Sequence, residues 1–107
     1  MMPTISIPLP KNEIEKFCEK HHIVYLALFG SILTLRFTQT SDVDVLVRFE
    51  KQHVPHLLSL IAMESELALI LGRSVDLKTP HDLSPYFRDD VLAQAVPIYP
   101  ERFSLDI

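Results

Sequence analysis

The 107-residue chain contains a single cysteine, Cys18, so no disulfide can form within it. Cys18 shares a helical stripe with Ile14, Phe17 and His21, which predicts a buried structural thiol. Because there is neither a disulfide framework nor an export signal, the sequence predicts a cytoplasmic protein.

Long apolar runs and basic runs are also lacking. The longest largely apolar stretch, residues 23–35, is interrupted by Gly30, Ser31 and Thr34 and is shorter than the ~20 residues of a membrane-spanning helix. The formal net charge is -4 and no basic run exceeds two residues, which argues against a nucleic-acid binder that works through bulk electrostatics. An acidic surface better suits a protein partner that carries basic patches.

The length and the hydrophobic content of the chain are typical of one small domain. Hydrophobic residues make up 48% of the chain, and a chain of this length buries about 65% of its unfolded surface. We therefore expect residues 1–107 to form a single domain with one core.

The spacing of apolar residues predicts alternating helices and strands. The predicted strands are 23–29, 43–49, a segment around Asp76 and a possible extension at 98–99. The predicted helices are one opened by a capping box of Asn12 and Glu15, a short one at 31–36, a long one from Pro55 to Leu71, and a last one from Asp82 or Ser84 through Ala95. This pattern predicts an α/β (α+β) fold, a small mixed sheet with helices packed on one face and the acids on the other.

Two short motifs at strand ends indicate a site for a nucleotide and a metal ion. Asp42 and Asp44 are two residues apart where a strand begins, so their side chains point to the same face. Two carboxylates so close repel each other unless a divalent cation lies between them, and Mg²⁺ suits such a pair because it also binds substrate phosphates. Gly30 and Ser31 end the preceding strand, where a glycine allows close approach of a phosphate and a serine can donate to it.

The distribution of glycines and acids sharpens this interpretation. The chain has only two glycines, and one of them, Gly30, lies in the proposed phosphate turn. Gly72 is explained as the C-terminal cap of the long helix. A third acid, Asp76, lies between Val75 and Leu77 and repeats the pattern of an acid on one face and apolar residues on the other.

With these residues the chain resembles the minimal nucleotidyltransferases of the DNA polymerase beta superfamily. More narrowly, it resembles the antitoxin half of the two-gene HEPN/MNT toxin–antitoxin modules. The likeness spans about Lys11 to Tyr99. The segments that carry it are Leu28-Phe29-Gly30-Ser31, residues 41–47, the strand that holds Asp76, and residues 83–92.

This resemblance implies a function for each motif. Gly30 and Ser31 would hold the triphosphate of ATP, and Asp42, Asp44 and Asp76 would be catalytic and hold Mg²⁺, as two ions. Members of the family can transfer AMP from ATP to a tyrosine of the HEPN partner. The implied partners are therefore a HEPN toxin and ATP, with no direct contact to nucleic acid or membrane, and with oligomers only as the toxin–antitoxin complex.

One departure from the family keeps an alternative open. The family turn usually continues Gly-Ser-Arg-Ala-Arg-Gly, whereas this chain reads Gly-Ser-Ile-Leu-Thr-Leu from Gly30 to Leu35, so that the nearest arginine is Arg36. The alternative is a non-catalytic antitoxin that acts by binding alone and keeps a decayed nucleotide site. Transfer to a small molecule such as an aminoglycoside is less favoured, because such enzymes generally need an additional domain for the acceptor.

A pair of histidines and a set of apolar residues are further candidates for a function. His53 and His56 have helical spacing but no obvious third ligand, so we interpret them as ordinary exposed histidines. Several apolar residues are candidates for a partner surface, although core packing is expected for at least half of them: Leu33, Leu35, Phe37, Tyr86 and Phe87.

Overall fold

A four-stranded mixed sheet forms the centre of the fold in the computed structural model, which describes residues 5–100. The strands are β1 (Ile23–Phe29), β2 (Val43–Phe49), β3 (Val75–Lys78) and β4 (Val96–Tyr99). Their order is β3-β2-β1-β4, with β1 antiparallel to both neighbours and β2 parallel to β3. The bounds of β1 and β2 agree with the sequence prediction, and the predicted mixed sheet is confirmed.

In the described part of the chain, three α-helices pack against the sheet: α1 (Lys11–Lys20), α2 (Leu57–Leu71) and α3 (Arg88–Gln94). Because β2 and β3 run parallel, α2 serves as the crossover between them. The C-terminal cap predicted at Gly72 is confirmed, since Gly72 is left-handed and its N–H donates to the Ala68 carbonyl at 2.8 Å. Within residues 5–100, no helix has the length and apolarity needed to cross a bilayer.

The main core lies between one face of the sheet and the helices α1 and α2. Alternate residues of β2, namely Val43, Val45 and Val47, point into it and are fully buried. Cys18 on α1 is also fully buried, and burial raises the pKa of its thiol to about 12. The predicted structural thiol is thus confirmed.

The opposite face of the sheet carries a smaller cluster and the site residues. Ala27, Phe29 and Leu46 are buried there, and Val91 and Leu92 of α3 pack against them. The prediction of helices on one face therefore holds for α1 and α2 but not for α3. The physical reason is that β1 presents apolar residues on both faces, so the second face needs a cover as well.

The predicted boundaries of the first three helices were wrong. The first helix begins after Pro10, whose carbonyl accepts from the Ile14 N–H at 3.0 Å, so Asn12 is already inside the helix and cannot cap it. The short helix predicted at 31–36 is a single 3-10 turn, Gly30–Leu33. The long helix α2 starts at Leu57 because His56, not Pro55, is its extended N-cap residue.

The last helix also starts later than predicted. Asp82 caps a separate 3-10 turn, Pro80–Asp82, because its carboxylate accepts from the N–H and hydroxyl of Thr79, both at 3.0 Å. Ser84 begins a turn rather than the helix, since the following Pro85 disfavours a helical conformation at Ser84. The regular helix α3 therefore begins only at Arg88.

Candidate functional site

The Gly30 turn and Asp44 lie against each other where β1 ends and β2 begins. Phe29 and Asp44 are partners in the antiparallel ladder, so the residue after Phe29 is next to the Asp44 side chain. Gly30 has a φ of +76°, and a Cβ at this position would overlap Asp44 Oδ2. The Ser31 backbone N–H donates a hydrogen bond to the Asp44 carboxyl. Glycine is therefore required here by both backbone conformation and space.

Asp44 and Asp76 are brought side by side by the parallel pairing of β2 and β3. They are direct partners in the register, and adjacent strands lie about 4.8 Å apart. Both alternate with buried residues of the main core, so both side chains lie on the opposite, more open face. Lys78 Nζ lies 3.5 Å from Asp76 Oδ2 on the same strand.

The electrostatics of this pair favour a cation. Burial is the largest cause that raises the pKa of the Asp44 carboxyl, and the neighbouring Asp76 and Asp42 raise it further. Lys78 and the Ser31 N–H oppose the shift but do not reverse it. Three acids and one lysine contribute to this electrostatic environment, so the acids outnumber the cation that could neutralise them. An oxygen-only donor set with excess negative charge fits Mg²⁺.

Asp42 lies at the rim of this site. It is exposed and directly precedes β2. Within the part of the chain that the structure describes, the oxygens of Asp42, Asp44 and Asp76 do not all lie within 4.8 Å of one another, since the one group that meets this limit is elsewhere. The structure thus brings Gly30, Ser31, Asp44 and Asp76 together and leaves Asp42 at the entrance.

Arg73 anchors the loop that carries Asp42, which the sequence analysis missed. Its Nη2 donates to the carbonyl oxygens of Thr38 and Ser41, at 2.7 and 2.8 Å. Its guanidinium carbon also lies 4.6 Å from the centroid of the Phe37 ring. Because Arg73 stands between α2 and β3, it ties the entry to β2 directly to the segment that leads to Asp76. No local pattern signals such a contact, since its partners are 32 and 35 residues away.

Glu64 on α2 stabilises β3, the strand that carries Asp76. Its Oε2 accepts from the Leu77 backbone N–H at 2.8 Å, which satisfies a donor on the edge strand β3. The contact joins α2 to β3 one residue after Asp76. The position of Asp76 is therefore set both by the sheet and by a helix side chain.

A cavity of about 590 Å³ opens beside the Gly30 turn. It is mostly apolar and is lined by Phe29, Gly30, Leu33, Thr34, Val91 and Gln94. Its location between the turn and α3 leaves room for a flat group next to any phosphate bound at Gly30.

The predicted partner surface is divided between core and solvent. Leu33 and Phe37 are partly buried and pack against the main core. Leu35, Tyr86 and Phe87 are exposed, with Leu35 fully so. Core packing thus accounts for two of the five residues, fewer than the half or more that the sequence predicted.

Comparison with known proteins gives the class of the protein. The family described as polymerase beta, nucleotidyltransferase, matches residues 12–103. The chain belongs to this family and is a nucleotidyltransferase. The resemblance identified from the Gly-Ser turn and the three acids is therefore confirmed.

Two relatives within this family are named protein adenylyltransferases. Over 88 residues, the chain is 33% identical to a protein of Methanocaldococcus jannaschii classed as a protein adenylyltransferase, covering 82% of this chain and 92% of that protein. It is 35% identical over 78 residues to the protein adenylyltransferase MntA of Thermococcus cleftensis, covering 73% of this chain and 77% of MntA.

Solved structures share the fold. A crystal structure of a toxin–antitoxin with AMP-PNP matches with a TM-score of 0.68 and 22% identity, over 91% of this chain and 80% of that one. The complex of a tri-AMPylated Shewanella oneidensis HEPN toxin with its MNT antitoxin matches with a TM-score of 0.60 and 22% identity, over 83% of this chain and 68% of that one. At such identities the likeness establishes the fold.

Proposed function

We propose that this chain is an antitoxin that neutralises a cognate HEPN ribonuclease toxin by transferring AMP from ATP to a tyrosine of that toxin. The observation that carries the proposal is the contact of the Gly30 turn with Asp44, beside Asp76. This contact supports a site in which a turn suited to a phosphate adjoins two paired carboxylates. The choice of a protein as acceptor is supported by the relatives that are named protein adenylyltransferases.

In the proposed site, each residue has a stated task. Gly30 and Ser31 bind the triphosphate, and the apolar cavity beside them receives the base. Asp42, Asp44 and Asp76 would hold Mg²⁺, which when bound neutralises charge on the triphosphate and on the departing pyrophosphate. Asp44 fits this task because burial and the neighbouring Asp76 and Asp42 raise the pKa of its carboxyl, and a bound cation would offset these effects.

The reaction is a displacement at the α-phosphorus of ATP. The phenolic oxygen of the toxin tyrosine forms a bond to this phosphorus, and the bond from the phosphorus to the pyrophosphate oxygen breaks. Asp76 helps to prepare the acceptor hydroxyl by accepting its proton. Lys78 Nζ, 3.5 Å from Asp76 Oδ2, places a positive charge beside this carboxylate.

One observation favours binding without catalysis as a second candidate function. Ile32 stands where the family turn usually carries its first arginine, and only 2% of it is exposed, as part of the main core. The turn therefore contributes an apolar anchor instead of a cation for the phosphates. An antitoxin with such a turn could inhibit its toxin by forming a complex alone.

The intact mass of the toxin tests both functions. The protein encoded by the adjacent gene is incubated with this chain and Mg²⁺-ATP, and Asp42→Asn serves as the matched control. We expect an AMP-sized mass increase with the wild type only. No increase, with a stable complex still formed, would select the binding function, whereas neither increase nor complex would reject both.

Arg73 provides a test of how the acids are positioned. Arg73→Ala removes two charge-assisted hydrogen bonds from the loop that leads to Asp42, each worth about 1.5–3 kcal/mol. We expect the transfer rate to fall about tenfold or more and the Mg²⁺ concentration for half-maximal rate to rise. The measurement is initial rate against Mg²⁺ concentration.

The control for Arg73 is Arg48→Ala. Arg48 is an exposed arginine of β2 whose guanidinium lies 5.8 Å from the centroid of the Tyr25 ring, away from the acids. The Arg48→Ala substitution should leave the Mg²⁺ concentration for half-maximal rate unchanged. If Arg73→Ala lost activity without a change in Mg²⁺ dependence, the positioning role would be wrong.

A further inference from the structure

Two histidines and a glutamate meet at the end of the sheet opposite the aspartates. His22 precedes β1, Glu50 follows β2, and His53 ends the 3-10 turn Lys51–His53. Asp44 and Glu50 are six residues apart along β2 and its extension, which corresponds to about 20 Å. This cluster is therefore separate from the candidate nucleotide site, and the proposed function does not use it.

The backbone fixes the positions of all three residues. The Glu50 N–H donates to the His22 carbonyl at 2.9 Å and so extends the ladder between β1 and β2. The His53 N–H donates to the Glu50 carbonyl at 2.9 Å within the 3-10 turn. His22 has a φ of +57°, a left-handed conformation that is uncommon without glycine and that marks constrained sites. The side chains therefore converge because their backbones are held in place.

The side-chain atoms are at the spacing of metal ligands. One ligand atom from each of the three residues lies within 4.8 Å of the other two. His22 Nδ1 and Glu50 Oε2 are 3.3 Å apart. Two ligands of a tetrahedral zinc ion, each bonded at about 2.0–2.1 Å, are separated by about 3.4 Å. The pair already matches one edge of such a site.

We propose that His22, Glu50 and His53 bind a divalent first-row transition-metal ion of the zinc type. Two imidazole nitrogens and one carboxylate oxygen suit zinc, whereas Mg²⁺ prefers oxygen ligands alone. Three protein ligands leave a fourth position for water or for a ligand from a partner. The rings of His22 and His53 are stacked, 3.6 Å between centroids and 14° between planes, so metal binding requires them to tilt toward a common point.

The surroundings are compatible with a cation. The neighbouring Lys20 Nζ and His21 Nε2 both contact the Glu66 carboxylate, at 3.2 and 3.0 Å. Glu66 therefore offsets the positive charge of Lys20. His22 and His53, but not Glu50, border a cavity of about 340 Å³ together with Lys20, His21 and Glu66, which leaves space beside the two imidazoles for the metal and its water.

Calorimetric titration with Zn²⁺ alone tests the proposal. Saturating Mg²⁺ is present throughout to occupy the aspartates. We expect one site in the wild type, and an affinity at least about tenfold weaker in His53→Gln and in Glu50→Gln, since even outer partners of metal ligands are worth 10–100-fold. The matched control is His81→Gln, an exposed histidine outside the cluster. Equal affinity in His53→Gln and wild type, or equal loss in His81→Gln, would overturn the site.

Thermal unfolding supplies a second readout that does not depend on AMP transfer. Zn²⁺ should raise the Tm of the wild type and of His81→Gln, because it binds only the folded chain, but not that of His53→Gln. Asp44→Asn should keep the full Zn²⁺ effect because its substitution lies at the other end of the sheet. Loss of the effect in Asp44→Asn would place the zinc at the aspartates and reject the histidine site.

Discussion

Asp44→Asn should abolish AMP transfer and also stabilise the metal-free protein. Transfer should fall by at least about 10²-fold, because a metal ligand contributes several kcal/mol of charge stabilisation. The stabilisation follows from the raised pKa of Asp44, which burial and the neighbouring Asp76 and Asp42 cause. The measurements are the transfer rate and the Tm at neutral pH with and without Mg²⁺.

The sign of the stability effect follows from linkage. A carboxyl whose pKa is raised on folding binds its proton more tightly in the folded state, so its ionised form destabilises the protein. That cost is fully present above the folded pKa and disappears as the pH falls below the ordinary value for aspartate. Asparagine removes the charge at every pH. The Tm advantage of Asp44→Asn, on the order of a few degrees, should therefore shrink toward acidic pH.

Mg²⁺ should reverse the order of stability. The ion compensates the carboxylates of the wild type, so its Tm should rise with Mg²⁺ more than that of Asp44→Asn. Glu15→Gln on α1 controls for the change in net charge. A lower Tm for Asp44→Asn without metal would mean that the hydrogen bond from the Ser31 N–H outweighs the repulsion, and full transfer would reject this metal site.

Gly30→Ala should inactivate the protein, whereas Gly72→Ala should not. The two glycines have nearly the same left-handed φ, +76° and +71°, so alanine costs each a similar backbone strain of about 1–2 kcal/mol. They differ in space, because a Cβ on Gly30 would overlap Asp44 Oδ2 whereas a Cβ on Gly72 meets no atom within 4 Å. Gly72→Ala is thus a matched control for strain.

The expected result is similar stability and different activity. The Asp44 carboxyl can swing away from the new methyl group, so Gly30→Ala should still fold, but the acid then leaves its position beside the turn. Transfer by Gly30→Ala should drop by about 10²-fold or more, with the Tm of both variants lowered to a similar extent. Equal activity of the two variants in the transfer assay would show that the turn does not position Asp44.

Local patterns were sufficient for the parts of the site that lie on single segments. Alternation of apolar residues predicted the bounds of β1 and β2, because a strand with one face in the core has a side-chain period of two. The same alternation placed Asp44 and Asp76 on the open face of their strands. The glycine at the end of α2 marked its C-terminal cap, because helices commonly end at a residue in the left-handed conformation, which glycine adopts easily.

Contacts between distant segments could not be predicted from such patterns. The histidine cluster shows this, since the sequence analysis considered His53 only beside His56 and interpreted both as ordinary exposed histidines, and both are exposed. His56 is the N-cap of α2, while the neighbours of His53 are His22, from another segment, and Glu50. The side of the sheet covered by α3 was misjudged for the same reason, because its packing depends on which face of β1 remains uncovered.

The amino-acid sequence by itself determined the strand faces, the glycine positions and the family, because these depend on residue type and short-range spacing. Only the tertiary structure decided that Asp44 pairs with Asp76, that Arg73 holds the loop before Asp42, and that Glu64 caps the edge of β3. Each of these depends on strand order and on side chains that meet after the chain has folded. The spacing of residues along the sequence does not predict these contacts, because they are set by the packing of the whole sheet.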